Sequence, residues 1–187
     1  PISSPILGCY KPGEYTIHIY NVPNSELDGI KEVTAAHEML HAAWSRLSDA
    51  EKQRLGPLLE QAYSKVKDSK LKERMAYYNR AQPGSRSNEL HSILGTEHAD
   101  LGSELETHYA RFFSDRLRVV ALHAKYNQRF VDLEQQVTAL QAKLKQQRAV
   151  IEQRKESYDT SMTALNEKIR DFNQRATSGG FGSQQQF

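Results

Sequence analysis

The sequence predicts a mainly α protein with a small β element (α+β), in which a small helical domain is followed by one long coiled-coil helix. Three observations carry this. Apolar residues recur at helical spacing over most of the 187 residues. The one β-like run is short and lies near the N-terminus. From Asp115 to Thr177 there is neither Pro nor Gly, and a heptad pattern persists there. The predicted divisions are 1–114, 115–176 and a turn and tail over 177–187.

Residues 1–31 are rich in Pro, Gly, Ser and Asn, and Tyr15–Val22 is their only run with the aromatic and β-branched content of a strand. Helix follows. In Val33–Trp44, with Leu47 beyond it, Ala36, Leu40, Ala43, Trp44 and Leu47 fall on one face. Ser48-Asp49-Ala50-Glu51 is a capping box that starts a second helix. Gly56-Pro57 is expected to interrupt or restart it, with Leu55, Leu58, Leu59, Ala62, Tyr63 and Val66 on its buried side. Leu71, Met75 and Tyr78 form a weaker stripe before the loop at Pro83-Gly84-Ser85. Leu90, Ile93 and Leu94 then mark a short helix. Ser103-Glu104-Leu105-Glu106 resembles another capped start, leading into His108–Phe113. About 115 residues suffice for one small core.

The chemistry is concentrated in His37-Glu38-Met39-Leu40-His41. Positions four apart lie one turn above each other on a helix, so two imidazoles can close on one metal ion. Glu38 would then reach a metal-bound water as general base. With 7 histidines in the chain, about 0.02 such motifs are expected in a shuffled sequence, so chance explains it poorly. The third ligand is expected from Ser87-Asn88-Glu89-Leu90-His91-Ser92. Glu97 is the rival carboxylate, and His91 and His98 leave a three-histidine site open.

His37-Glu38-x-x-His41 and the downstream Asn88-Glu89-x-x-Ser92 resemble the gluzincin clan of zinc metallopeptidases, most closely its reduced minigluzincin form. The resemblance covers roughly residues 15–113. It implies a minimal zincin-like domain with one Zn²⁺ per chain on His37, His41 and Glu89, Glu38 as base, and a peptide or protein substrate. It also implies that the Tyr15–Val22 strand forms the upper rim of the cleft and pairs with extended substrate. Ile93 stands where the clan carries an Asp, so the partner orienting a ligand histidine must come from elsewhere, Glu97 and Asp100 being the suppliers considered. Donors for the developing oxyanion are sought among His98, His108, Tyr77, Tyr78 and Tyr109. Tyr109 and His108 are preferred, because their helix follows the glutamate helix directly. Cys9 offers a latency switch in which its thiolate occupies the open metal position.

Residues 115–176 read as a helix of about 90 Å at about 1.5 Å per residue. Leu133, Val137, Leu140 and Leu144 alternate steps of four and three; Ile151, Tyr158, Met162, Leu165, Ile169 and Phe172 continue the seam. Gln147 and Arg154 weaken it, and extra steps of four at Tyr126→Phe130 and Tyr158→Met162 are stutters. Such a stripe calls for a partner, either a second copy or a helix outside this sequence, which the turn at Ser178–Gly182 would lead into. The competing functional expectation is an assembly or adaptor protein with an inactive or structural zincin domain.

Net charge of +2 lacks the excess of a nucleic-acid binder. No apolar run reaches membrane-spanning length. The start at Pro1 suggests a piece excised from a longer protein, compatible with the extracytoplasmic part of a membrane-anchored one. One cysteine excludes an internal disulfide framework.

Overall fold

A computed structural model describes residues 7–180. Phe181 and Gly182 of the expected turn, and the rest of the tail, lie outside the described residues. The chain is mainly helical with one two-stranded antiparallel sheet, as the periodicity predicts. Residues up to Asp132 form one compact unit, and those from Leu133 onward a second.

The β element is a hairpin. β1 (Gly8–Lys11) pairs with β2 (Thr16–Ile19), Tyr10 facing Ile17 and Cys9 facing His18. Only β2 was expected, and it is shorter than the Tyr15–Val22 run. The strand bordering the motif helix at Glu38 is β1. Gly8 allows this, because a Cβ there would stand 2.6 Å from Thr34 Cγ2 and 3.0 Å from Glu38 Cγ.

α1 (Ile30–Arg46) begins three residues before the predicted start. Gly29 caps it at φ +95°, a left-handed conformation that glycine adopts without Cβ strain. Leu40, Ala43 and Leu47 are buried, while Ala36 and Trp44 are half-buried. α2 (Asp49–Lys65) opens on the capping box: the Glu51 amide donates to Ser48 Oγ (3.3 Å) and the Ser48 amide to Glu51 Oε2 (3.0 Å). Gly56-Pro57 does not break it. Pro57 lies on the exposed side with Gln53, whose carbonyl the missing N–H would have met, so water can satisfy that oxygen.

α3 (Ser69–Ala81) is capped by Asp68, which accepts from the Lys70 amide at 2.8 Å, and buries Leu71 and Met75. α4 (Arg86–Glu97) is the central helix, buried from Glu89 to Thr96. It crosses α1 closely at Gly95, where a Cβ would meet Leu40 Cδ1 at 2.5 Å and Tyr109 Cε1 at 2.7 Å.

α5 (Ser103–Tyr109) differs from its expected cap. Gly102 precedes the helix without a side-chain cap, because Glu106 is drawn instead to Arg116. Buried Arg116 opens α6 (Arg116–Thr177) and donates to the carbonyls of Gly95 (3.2 Å), His98 (2.6 Å) and Ala99 (2.5 Å). It thereby satisfies acceptors that the end of α4 leaves unpaired. α6 spans 62 residues. Its first turns belong to the compact unit, with Lys125 paired to Asp28 (3.2 Å) and Leu122 packed at Gly29. None of the described helices is long and apolar enough to cross a membrane.

Candidate metal centre

α1 and α4 together build the site. On α1 the four-residue spacing stacks His37 and His41, and their Nε2 atoms lie 3.1 Å apart. α4 brings Glu89 across, one carboxylate oxygen standing 4.0 Å from His41 Nε2. One ligand atom from each of His37, His41 and Glu89 falls within 4.8 Å of the others. Two nitrogens bound at about 2.05 Å with a tetrahedral angle stand about 3.3 Å apart, close to the spacing of this pair.

The tautomer of His41 suits ligation. Its Nδ1–H donates to Asn88 Oδ1 at 2.9 Å, and Ser92 Oγ lies 3.1 Å from the same nitrogen, which leaves the Nε2 lone pair facing His37. Orientation of the His41 ring thus comes from Asn88 and Ser92, one turn apart on α4. The expected suppliers are elsewhere. Glu97 accepts from Arg74 at 2.6 Å and stands 3.6 Å from His123 Nε2, which also removes it as third ligand. Asp100 is exposed. His91 joins His108 in the core rather than the cluster, and His98 belongs to no such cluster among the described residues.

Electrostatics favour neutral imidazole. Burial, then His41 and Arg74, lowers the pKa of His37 to about 3. Burial raises that of Glu89 to about 7, with Arg74 opposing. This is a buried carboxylate short of a cation, and a divalent ion would supply one. Glu38, one position beyond His37, is 7% exposed. Burial lifts its proton affinity and Glu89 adds to this, while His41 and the Tyr10 amide, which donates to the carboxylate, work against it. The hairpin explains that hydrogen bond. Leu7 O accepts from the Tyr20 amide at 2.7 Å, so strand alternation turns the Gly8 and Tyr10 backbone groups toward the opposite edge, beside α1.

Two expected site residues lie elsewhere. Tyr109 is wholly buried, and its hydroxyl donates to the His91 carbonyl at 2.7 Å. His108 is buried with its Nε2 2.8 Å from His91 Nε2. Their helix packs behind α4, so both serve the core and neither is available as an oxyanion donor. Tyr78 on α3 is half-buried: burial raises its phenol pKa, and the negative charges of Glu89, Glu97 and Glu38 raise it further, with Arg74 opposing. Cys9 alternates with Gly8 and Tyr10, is exposed, and is no member of the cluster.

Sequence reasoning passed over Asn88 as an orienting group, Arg74 as the cation near His37 and Glu89, and Arg116. Only Asn88 had a visible signal, lying four residues before Ser92 on the face that carries Glu89.

No protein-family model, curated protein or solved structure matches the chain.

Proposed function

We propose that the chain is a zinc-dependent metallopeptidase of gluzincin type, with one Zn²⁺ on His37, His41 and Glu89 and with α6 as a coiled-coil module for assembly or spacing. The observation that carries this reading is the convergence of two imidazoles and a buried carboxylate on one point, with Glu38 on the adjoining helix position. Bound zinc supplies a polarised scissile carbonyl and a water of lowered pKa. Glu38 takes the proton from the attacking water on its carboxylate and passes it to the leaving amine nitrogen. The Tyr10 amide donates to that carboxylate and orients it. Asn88 and Ser92 fix the ring of His41. The Tyr78 hydroxyl is the donor available to the developing oxyanion. The outer edge of β1, with its Gly8 and Tyr10 backbone groups, suits main-chain pairing with an extended peptide.

The apolar stripe of α6 from Leu133 to Phe172, exposed along its length, supports the coiled-coil part. It also favours a second reading, an assembly protein whose metal centre is only structural.

One comparison tests the proposal. Wild type and Glu38→Gln are reconstituted with zinc, analysed for metal, and assayed on casein and a peptide library. Both should hold one zinc per chain, and Glu38→Gln should be slower by about 10²–10⁴-fold. Absence of zinc, or equal hydrolysis by the two, overturns the proposal. Zinc without hydrolysis in wild type leaves the assembly reading.

A further inference from the structure

The hairpin face that meets α1 at Gly8 continues along the helix past Glu38, where it borders a groove that His37, His41 and Glu89 do not line. Tyr10 and Ile17 are register partners, so their side chains share one side of the sheet. With Met39 of α1 and Phe112 they wall a groove of about 460 Å³. That volume is typical of a site for a small organic group. At about 100° per residue, Met39, Ala43 and Arg46 lie on the side of α1 turned away from His37 and His41. The groove therefore opens on a different side of α1 from His37 and His41, and none of the three cluster residues lines it.

Three features give it a ligand chemistry. Its walls are apolar and aromatic. Its charged lining residues are both cations, Arg46 and Arg111, and no carboxylate lines it. Arg111 is occupied, donating to Glu51 Oε1 at 2.9 Å with its guanidinium over the Phe112 ring, whereas Arg46 has no side-chain partner among the described residues. The third feature is Tyr15. It is the only non-glycine described residue with a positive φ, +52°, and it lines the groove while 74% exposed. A bulky side chain is disfavoured in that region, where a turn would ordinarily use Gly or Asn, and strain of this kind gathers at ligand clamps.

We propose that this groove is a second recognition site, which takes an apolar side chain of a peptide and the carboxylate of the acidic residue beside it. The apolar side chain lies against Ile17, Met39 and Phe112, the carboxylate meets Arg46, and Tyr15 closes over the pair. The proposal rests on the peptidase reading for the peptide nature of the ligand and deepens it by naming a substrate class. Affinity spent here positions substrate without touching the reacting atoms.

The test is calorimetric titration of the full chain, stripped of metal so that no turnover intervenes. The probe is acetyl-Gly-Phe-Glu-Gly-amide, with its Phe→Ser and Glu→Lys versions as comparisons. Wild type should bind the Phe-Glu peptide best. Arg46→Glu should bind it about tenfold or more weakly, as expected when a charge-assisted contact is lost, and should prefer the Phe-Lys peptide instead. Tyr15→Gly should weaken binding while leaving the unfolding midpoint equal or higher. Equal affinity of wild type and Arg46→Glu, or no binding at millimolar peptide, overturns the proposal. So does displacement of the peptide by micromolar decanoate, which would make the site one for a fatty acid. The two readings fail separately: zinc-dependent hydrolysis without groove binding sinks only the groove, and charge-swapped binding without hydrolysis sinks only the peptidase.

Discussion

Asn88 shows how much a single side chain controls here. It makes no ion pair and is not a metal ligand, yet its Oδ1 lies 2.9 Å from His41 Nδ1 and fixes which nitrogen presents its lone pair to the cluster. Removing such a partner commonly costs about 10–100-fold in metal affinity. Asn88→Ala should therefore weaken zinc binding by about that factor with all three ligands intact, measured by competition with a chromophoric chelator. Asn88→Asp should retain or strengthen binding, since a carboxylate accepts the same proton. His108 makes a different kind of prediction. Burial, then Arg111 and Arg54, lowers its pKa to about 4, against about 6.5 in an unfolded chain. The folded protein keeps the imidazole neutral where the unfolded chain would protonate it. Its contribution is thus fully present above pH 6.5 and is lost as the pH falls toward 4. Buried Glu89 pulls the other way in metal-free protein, so the clean measurement is a difference. The gap in urea midpoint between wild type and His108→Gln should narrow, or reverse, between pH 7.5 and pH 5.

Among the elements, the crossing of α1 and α4 decides the most. Gly95 admits Leu40 and Tyr109 so closely that one added methyl must displace them. Gly95→Ala would ordinarily favour a helix, by about 1 kcal/mol. Overpacking typically costs about 1–3 kcal/mol and should dominate. Urea denaturation should show net destabilisation. Zinc affinity should fall as well, because the same crossing sets Glu89 against His41. A more stable Gly95→Ala protein with unchanged zinc binding would mean that the helices slide apart freely. The short β1 works in the same manner from the other side, with Gly8 letting backbone approach Glu38.

Along the whole chain, the His37, His41 and Glu89 group lies before Asp132 and the longest apolar stripe after it. Leu140 and Leu144 are 65% and 50% exposed, and a helix of 62 residues is not maintained by propensity alone. Replacing both with Ser should weaken self-association in analytical ultracentrifugation at several concentrations while leaving zinc content unchanged. A monomer at every concentration, in wild type and variant alike, would leave the stripe to a different chain.

What could be read from the sequence was local. Three- and four-residue periodicity marked α1, α2 and α6; the capping box marked the start of α2; spacing named His37, Glu38 and His41, and the Asn88-Glu89 pattern named Glu89. Each depends on neighbours within a turn or two, which geometry along a helix dictates whatever the rest of the chain does. Other features were set only when distant segments met. Packing behind α4 took Tyr109 and His108 from the cleft into the core, Arg74 and His123 claimed Glu97, Arg116 took Glu106 from its capping role, and β1 rather than β2 came to lie beside Glu38. The sequence alone determined which side chains could serve a metal. Which of them face it depended on how helices far apart in the chain pack, because a buried polar group goes to the partner that tertiary contact brings within hydrogen-bonding reach.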